Sequence, residues 1–198
     1  MRYLLDSPLF YRLFYNIVGG GKAHALFVSN YLRPREGDKI LDVGCGPADI
    51  LKFLTGVIYT GFDINAQYIK SAKENYSKVG NFFCSNIDMN IIETLPLFDL
   101  IMANGVMHHL NDREAVDLFK LAFAGLKKGG RMLTIDGCYT KNQHRLIRFI
   151  LSKDRGKFVR NREEYVNLAS KVFSGVKTEL RDDMLNIPYN HLIIECTK

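Results

Sequence analysis

Through the middle of this chain, short apolar runs alternate with longer stretches whose apolar residues recur every three to four positions. Lys39–Val43, Val57–Phe62, Asn81–Ser85, Phe98–Ala103 and Arg131–Ile135 read as strands. Phe98–Ala103 is apolar on both faces, as a central strand of a covered sheet must be. Pro47–Leu54, Ala66–Tyr76 and Arg113–Leu126 read as the intervening helices. Pro47 stands near a first turn, where a missing N–H costs little. Lys127-Lys128-Gly129-Gly130 stops the third helix, with cations at its carbonyl end. Such alternation predicts βαβ units around a parallel sheet.

The flanks have a different rhythm. Pro8–Leu32 reads as helices interrupted at Gly19-Gly20-Gly21. Lys141–Arg160 reads as a basic helical segment, Glu163–Val172 as a helix, and Val176–Arg181 with His191–Cys196 as a closing strand pair. The expected fold is therefore α/β: a Rossmann-like, doubly wound sheet of about seven mostly parallel strands with an antiparallel last strand. N-terminal helices and a helical insertion after strand 5 complete it. Residues 1–198 form one expected domain, with residues 1–34 as a helical lid and residues 137–162 as the basic insertion.

Composition narrows the setting. Hydrophobic residues make up 47% and charged residues 24%, the balance of a globular domain. No apolar run approaches the roughly 20 residues that cross a bilayer, and Met1–Val18 lacks a continuous signal-peptide core. A cytoplasmic location is expected. The net charge of +6 favours anionic partners without requiring nucleic acid. The bases concentrate in Lys141–Arg162, where Asp154 is the sole acid until Glu163. That stretch is either a solvated face or a surface for an anionic substrate or membrane. Cys45, Cys84, Cys138 and Cys196 form no C-x-x-C pair and match no zinc spacing, so no metal is expected.

In an open α/β sheet, ligands bind beyond the carboxyl ends of the strands. Those ends carry Gly44-Cys45-Gly46, Asp63, Asn86-Ile87-Asp88, Asn104-Gly105 and Asp136-Gly137. Glycines after the first strand let a ligand approach the backbone. The third glycine of a dinucleotide fingerprint is replaced by Asp49, which counts against a pyrophosphate and so against a nicotinamide cofactor. Asp63 lies at the spacing from the first strand at which an acid takes a ribose hydroxyl pair. The site reads as built for a nucleoside.

The motifs also carry a resemblance. Leu41-Asp42-Val43-Gly44-Cys45-Gly46-Pro47 resembles motif I of the class I S-adenosylmethionine-dependent methyltransferases. Gly61-Phe62-Asp63-Ile64 resembles their ribose-binding motif, and Phe98–Leu110 their fourth-strand motif in the small-molecule type 11 and 12 subgroup. Leu126–Arg131 is similar to their turn before strand 5. Asp154-Arg155-Gly156, Val159-Arg160 and Ile187–His191 resemble a subgroup often associated with bacterial surface-polysaccharide gene clusters.

The resemblance implies S-adenosylmethionine as methyl donor and S-adenosylhomocysteine as product. It implies cofactor contacts at Asp42, Gly44, Cys45, Gly46, Asp63, Ile64, Asn86, Ile87, Asn104 and Gly105. Asp63 would take the ribose, Ile64 and Ile87 the two adenine faces, and Asn104 the methionine end. Asn86 stands where the family usually has an acid for adenine, and Asp88 is the alternative. His109 is the candidate general base, since it follows strand 4 and imidazole titrates near neutrality. Asp136, Tyr139, Arg155 and Arg160 are the candidate acceptor contacts, His191 is a weaker base candidate, and Tyr11, Tyr15 and Lys22 are candidates to cover the cofactor.

The expected reaction is methyl transfer to a small-molecule or glycan acceptor, anionic in character, at oxygen. The competing readings are a nucleic-acid methyltransferase and a non-catalytic S-adenosylmethionine-binding regulator. No Asn/Asp-Pro-Pro-aromatic motif follows strand 4, which disfavours amino-group methylation of nucleic acid. A monomer or a homodimer fits the sequence equally.

Overall fold

The computed structural model describes residues 17–152 and 156–198. Among the described residues, eight strands form the sheet: β1 Lys39–Val43, β2 Ile58–Asp63, β3 Gly80–Cys84, β4 Phe98–Asn104, β5 Leu126–Tyr139, β6 Arg160–Asn161, β7 Gly175–Arg181 and β8 His191–Thr197. Their order is β3-β2-β1-β4-β5-β8-β7, with the two-residue β6 paired to β5. The strands from β3 to β5 run parallel, and β8 runs antiparallel to both β5 and β7. The order reverses between β1 and β4, so their carboxyl ends splay into the crevice where such sheets bind ligands.

The helices are α1 Gly20–Phe27, α2 Ala66–Tyr76, α3 Met89–Thr94, α4 Asp112–Gly125, α5 Arg145–Ser152 and α6 Arg162–Ser170. Local chemistry sets their starts. Asn111 and Glu114 close a capping box on α4, and Asn161 and Glu164 repeat it on α6. Asn65 caps α2 by accepting from the N–H groups of Gln67 and Tyr68. The apolar stripes of α4 and α6 bury Phe119, Leu121, Tyr165 and Leu168 against one sheet face with Leu41, Ile101 and Met132. The other face buries Ile40, Leu100, Met102 and Leu133 under α1, α2 and the turn Asp49–Phe53.

Several expectations shift. Gly20–Leu32, part of the predicted lid, is a layer of the core: Phe27, Tyr31 and Leu32 are buried against the sheet. Arg131 fixes it by donating to the Tyr31 and Leu32 carbonyls at 2.9 and 2.6 Å. Tyr11 and Tyr15 lie outside the described residues, and Lys22 is exposed. Pro47–Leu54 yields only a 3₁₀ turn, Asp49–Phe53. Lys127–Gly130 is not a break between elements. Gly129 takes a φ of +77°, the register against β4 shifts there, and β5 runs unbroken to Tyr139. The predicted insertion at residues 137–162 therefore begins inside a strand. The short α3 was not anticipated, because six residues offer too little periodicity to read.

Candidate cofactor and acceptor site

The loop after β1 is held open by backbone geometry. Gly44 and Gly46 have φ of +74° and +55°, in the left-handed region that glycine reaches without strain. The N–H groups of Gly44 and Cys45 both donate to the Phe62 carbonyl, at 2.8 and 3.0 Å. A Cβ at Gly44 would stand 2.5 Å from Val106, whereas at Gly46 it would meet nothing within 4 Å. The loop is thus tight on its inner side and open on its outer side, where a ligand can lie against the backbone.

Asp63 ends β2 and braces that loop. Its carboxylate accepts from the Gly46 N–H at 2.8 Å and from the Asn65 N–H at 2.8 Å. Ile64 beside it is 77% exposed, on the side where a ligand can lie. Ile87 is buried in the core with Val43 and Phe62. Of the two adenine candidates, Asp88 is engaged as the cap of α3, accepting from the Ile91 N–H at 2.9 Å. Asn86 is exposed at the end of β3.

Two buried acceptors mark the floor of the crevice. Asp42, near the end of β1, accepts from the Tyr59 hydroxyl at 2.6 Å, while its Oδ1 has no hydrogen-bond partner among the described residues. Asn104, at the end of the neighbouring β4, likewise keeps a buried and unpartnered Oδ1. Burial pushes the Asp42 carboxyl up to about 7; the Tyr59 hydrogen bond opposes this and the charge of Asp63 adds to it. Unsatisfied buried acceptors are rare in native proteins and call for a donor. The ammonium of a methionine moiety supplies one, so these residues fit S-adenosylmethionine. Gly105, with φ +68°, anchors the next turn by donating to the Ile135 carbonyl at 2.8 Å.

Toward β5 the chemistry changes. His108 Nδ1 lies 2.7 Å from Asp136 Oδ1, and both side chains are buried. The His108 backbone N–H also donates to that oxygen, at 3.2 Å. Burial raises the Asp136 carboxyl, and the hydrogen bonds from His108 pull it back. Asp136 Oδ2 has no hydrogen-bond partner among the described residues. His109, the candidate base, is exposed, its ring centroid 4.3 Å from that of His108. The structure brings His108, not His109, to the acid at the end of β5.

Arg160 is corrected. It is 6% exposed, and its guanidinium donates to Asp112 at 2.8 and 3.0 Å and to the carbonyls of Met107, Leu110 and Phe158. With its donors used in this clamp, it cannot also grip an acceptor. Arg155 lies outside the described residues. Tyr139 is half-buried at the end of β5, with the Arg148 guanidinium 5.6 Å from its ring centroid. His191 opens β8 opposite Gly137, its ring 4.7 Å from Tyr189. Cys45 is buried and its thiol pKa is pushed far up by burial. Sequence reasoning missed Tyr59 and His108. The signal for His108 was an acid ending the strand adjacent to its own.

Among the described residues, no helix is long and apolar enough to cross a membrane. Residues 40–130 match the family described as "Methyltransferase domain". Phosphoethanolamine N-methyltransferase 1 of Zea mays is 29% identical over 177 residues, covering 85% of this chain and 34% of its own length. Trans-aconitate 2-methyltransferase of Mycolicibacterium gilvum is 26% identical over 129 residues, covering 61% of this chain and 47% of its own. The chain thus spans between a third and a half of these relatives. A TehB-like S-adenosylmethionine-dependent methyltransferase from Corynebacterium glutamicum superposes with a TM-score of 0.63 at 18% identity, covering 89% of this chain and 88% of that one. Residues 40–130, just under half of the chain, are thus similar to the methyltransferase-domain family, and the sheet shares the Rossmann-like fold of that solved methyltransferase.

Proposed function

We propose that this chain methylates a small anionic acceptor from S-adenosylmethionine, at an oxygen whose proton His108 removes. The observation that carries this reading is the buried His108–Asp136 pair at the carboxyl ends of β4 and β5. It stands beside the strand ends that hold the unpartnered oxygens of Asp42 and Asn104. When bound, S-adenosylmethionine supplies a methyl group already activated on a sulfonium. Gly44, Cys45 and Gly46 would offer it backbone, Asp63 the ribose contact, Ile64 and Asn86 the adenine contacts, and Asp42 with Asn104 the ammonium contact.

The chain's own part is positioning and one proton transfer. An Nδ1–H donated to Asp136 fixes the His108 ring and leaves the lone pair on Nε2. Nε2 then accepts the acceptor's hydroxyl proton. An anionic acceptor suits the net charge of +6 and the exposed Arg145, Arg148 and Lys157 beyond β5. It is also in keeping with relatives named for phosphoethanolamine and trans-aconitate. The four free cysteines suit a reducing, cytoplasmic setting.

The test is methyl transfer from labelled S-adenosylmethionine to a panel of anionic hydroxyl, carboxylate and amine acceptors, with the methylated atom read by mass spectrometry. His108→Gln is expected to lower kcat about a hundredfold with cofactor affinity intact. An unchanged kcat would remove the base role, and an N-methylated product would overturn the oxygen assignment. Transfer to nitrogen is the second reading, favoured by the phosphoethanolamine N-methyltransferase relative.

A further inference from the structure

Helix α5, Arg145–Ser152, is attached to the sheet by one edge. Leu151 is its buried residue, packed where a Cβ on Gly137 would come within 2.8 Å of it. On the outer side Leu146 is 50% and Phe149 58% exposed. They stand three positions apart and so share one face of the helix. Phe158, just beyond, is 38% exposed. A single exposed apolar residue needs no explanation, but two large ones on an eight-residue helix do.

The surrounding charge is one-sided. Lys141, Arg145, Arg148 and Lys157 are all exposed, and none has a carboxylate partner among the described residues. Several arginines elsewhere are matched: Arg33 and Arg131 to Glu195, Arg160 to Asp112, Arg181 to Asp183. This helix therefore combines an exposed apolar pair with cations that meet no carboxylate among the described residues. We infer that α5 and its flanks dock this protein on the surface of an anionic lipid bilayer, with Leu146 and Phe149 entering the headgroup boundary and Lys141, Arg145, Arg148 and Lys157 meeting the lipid phosphates.

The combination is that of an interfacial helix, in which apolar burial and attraction to anionic lipid act together. A second copy of the chain is a poorer occupant, because two such faces would oppose four exposed cations to four more. A nucleic acid would use the cations but leave Leu146 without a role, since an aliphatic side chain offers no stacking face. The docking also has a direction. Gln143 donates to the Cys138 carbonyl at 3.2 Å and Arg148 lies over Tyr139, so α5 sits at the carboxyl end of β5, the end that carries Asp136. A protein held by α5 turns its acceptor side toward the bilayer.

Vesicle co-sedimentation tests this without turnover, so its failure leaves the proposed methyl transfer standing. The full chain is mixed with vesicles of phosphatidylcholine alone, or of phosphatidylcholine with about a quarter phosphatidylglycerol. We expect at least about tenfold tighter partitioning to the anionic vesicles, weakened by salt. Leu146→Ser with Phe149→Ser, and separately Arg145→Gln with Arg148→Gln, should each cost about tenfold, while both proteins keep the wild-type melting profile. Equal partitioning to the two vesicle types would overturn the inference. So would an unaffected Leu146/Phe149 double variant, a dimer that this variant dissociates in the absence of vesicle binding, or binding to RNA that excludes vesicles.

Discussion

Asp42 makes the pH dependence of this fold unusual. Its carboxyl is buried with one oxygen on the Tyr59 hydroxyl and the other without a partner among the described residues. Burial lifts it from the ordinary 3.8 to about 7. A carboxyl whose folded value exceeds its unfolded value binds more protons folded than unfolded between the two. Stability from this group is therefore complete below about 3.8 and is lost as pH rises toward about 7. Three units at about 1.4 kcal/mol each come to roughly 4 kcal/mol of destabilisation by pH 8. Asp42→Asn keeps the shape and an acceptor for Tyr59 but removes the ionisation. Denaturant unfolding at pH 5, 6, 7 and 8 should show the variant gaining on the wild type by about 2–3 kcal/mol between pH 5 and pH 8, the two units between pH 5 and the folded value. Parallel stability curves would refute the reasoning. The same group predicts that binding S-adenosylmethionine at pH 6 releases close to one proton, as the ammonium holds Asp42 ionised. Calorimetry in buffers of different ionisation enthalpy measures that release, and Asp42→Asn should abolish it.

Asp63→Ala should lose most cofactor affinity by calorimetry and also about 1–2 kcal/mol of stability, because the Gly46 and Asn65 N–H groups lose their acceptor. Gly44→Ala forces a Cβ toward Val106 at a φ of +74° and should destabilise by about 2 kcal/mol; a thermal melt within a degree of wild type would refute the strain. Arg160→Lys cannot reproduce five donors in a fork, so about 3 kcal/mol of stability should disappear, and the acceptor KM of the folded fraction should not move. Burial holds His24 down to about 4, below its ordinary 6.5, so it gives stability at neutral pH that is lost as pH falls from about 6.5 toward 4. His24→Gln should flatten that acid limb of the unfolding curve.

What could be read from the chain followed the strength of its local signals. β1, β2, β4 and α2 were legible because apolar periodicity and glycine or asparagine punctuation agree there. The loop after β1 was legible for the same reason: Gly44, Gly46 and Asp63 are fixed by backbone conformation and strand ends, which a sequence shows directly. β5 was cut short because Gly129-Gly130 looks like an end, whereas a left-handed Gly129 lets the strand bulge and continue. Arg160 looked like a surface cation because a sequence cannot show that three carbonyls and Asp112 converge on it.

The two histidines show where one-dimensional reasoning stops. His108 and His109 have the same chemistry and stand one position apart in the turn Met107–His109. A single step around a turn of three residues swings a side chain by about a third of a circle. It is enough to bury one imidazole on Asp136 and expose the other. Only the register of β5 against β4, Asn104 opposite Ile135, puts Asp136 beside the residue that begins this choice. A variant pair tests that directly. His109→Gln should leave kcat near wild type, while His108→Gln should lower it about a hundredfold and steepen the alkaline dependence that remains, since the acceptor must then ionise unaided. Equal losses at the two positions would mean that the rings act as a stacked unit and that the strand register does not select between them.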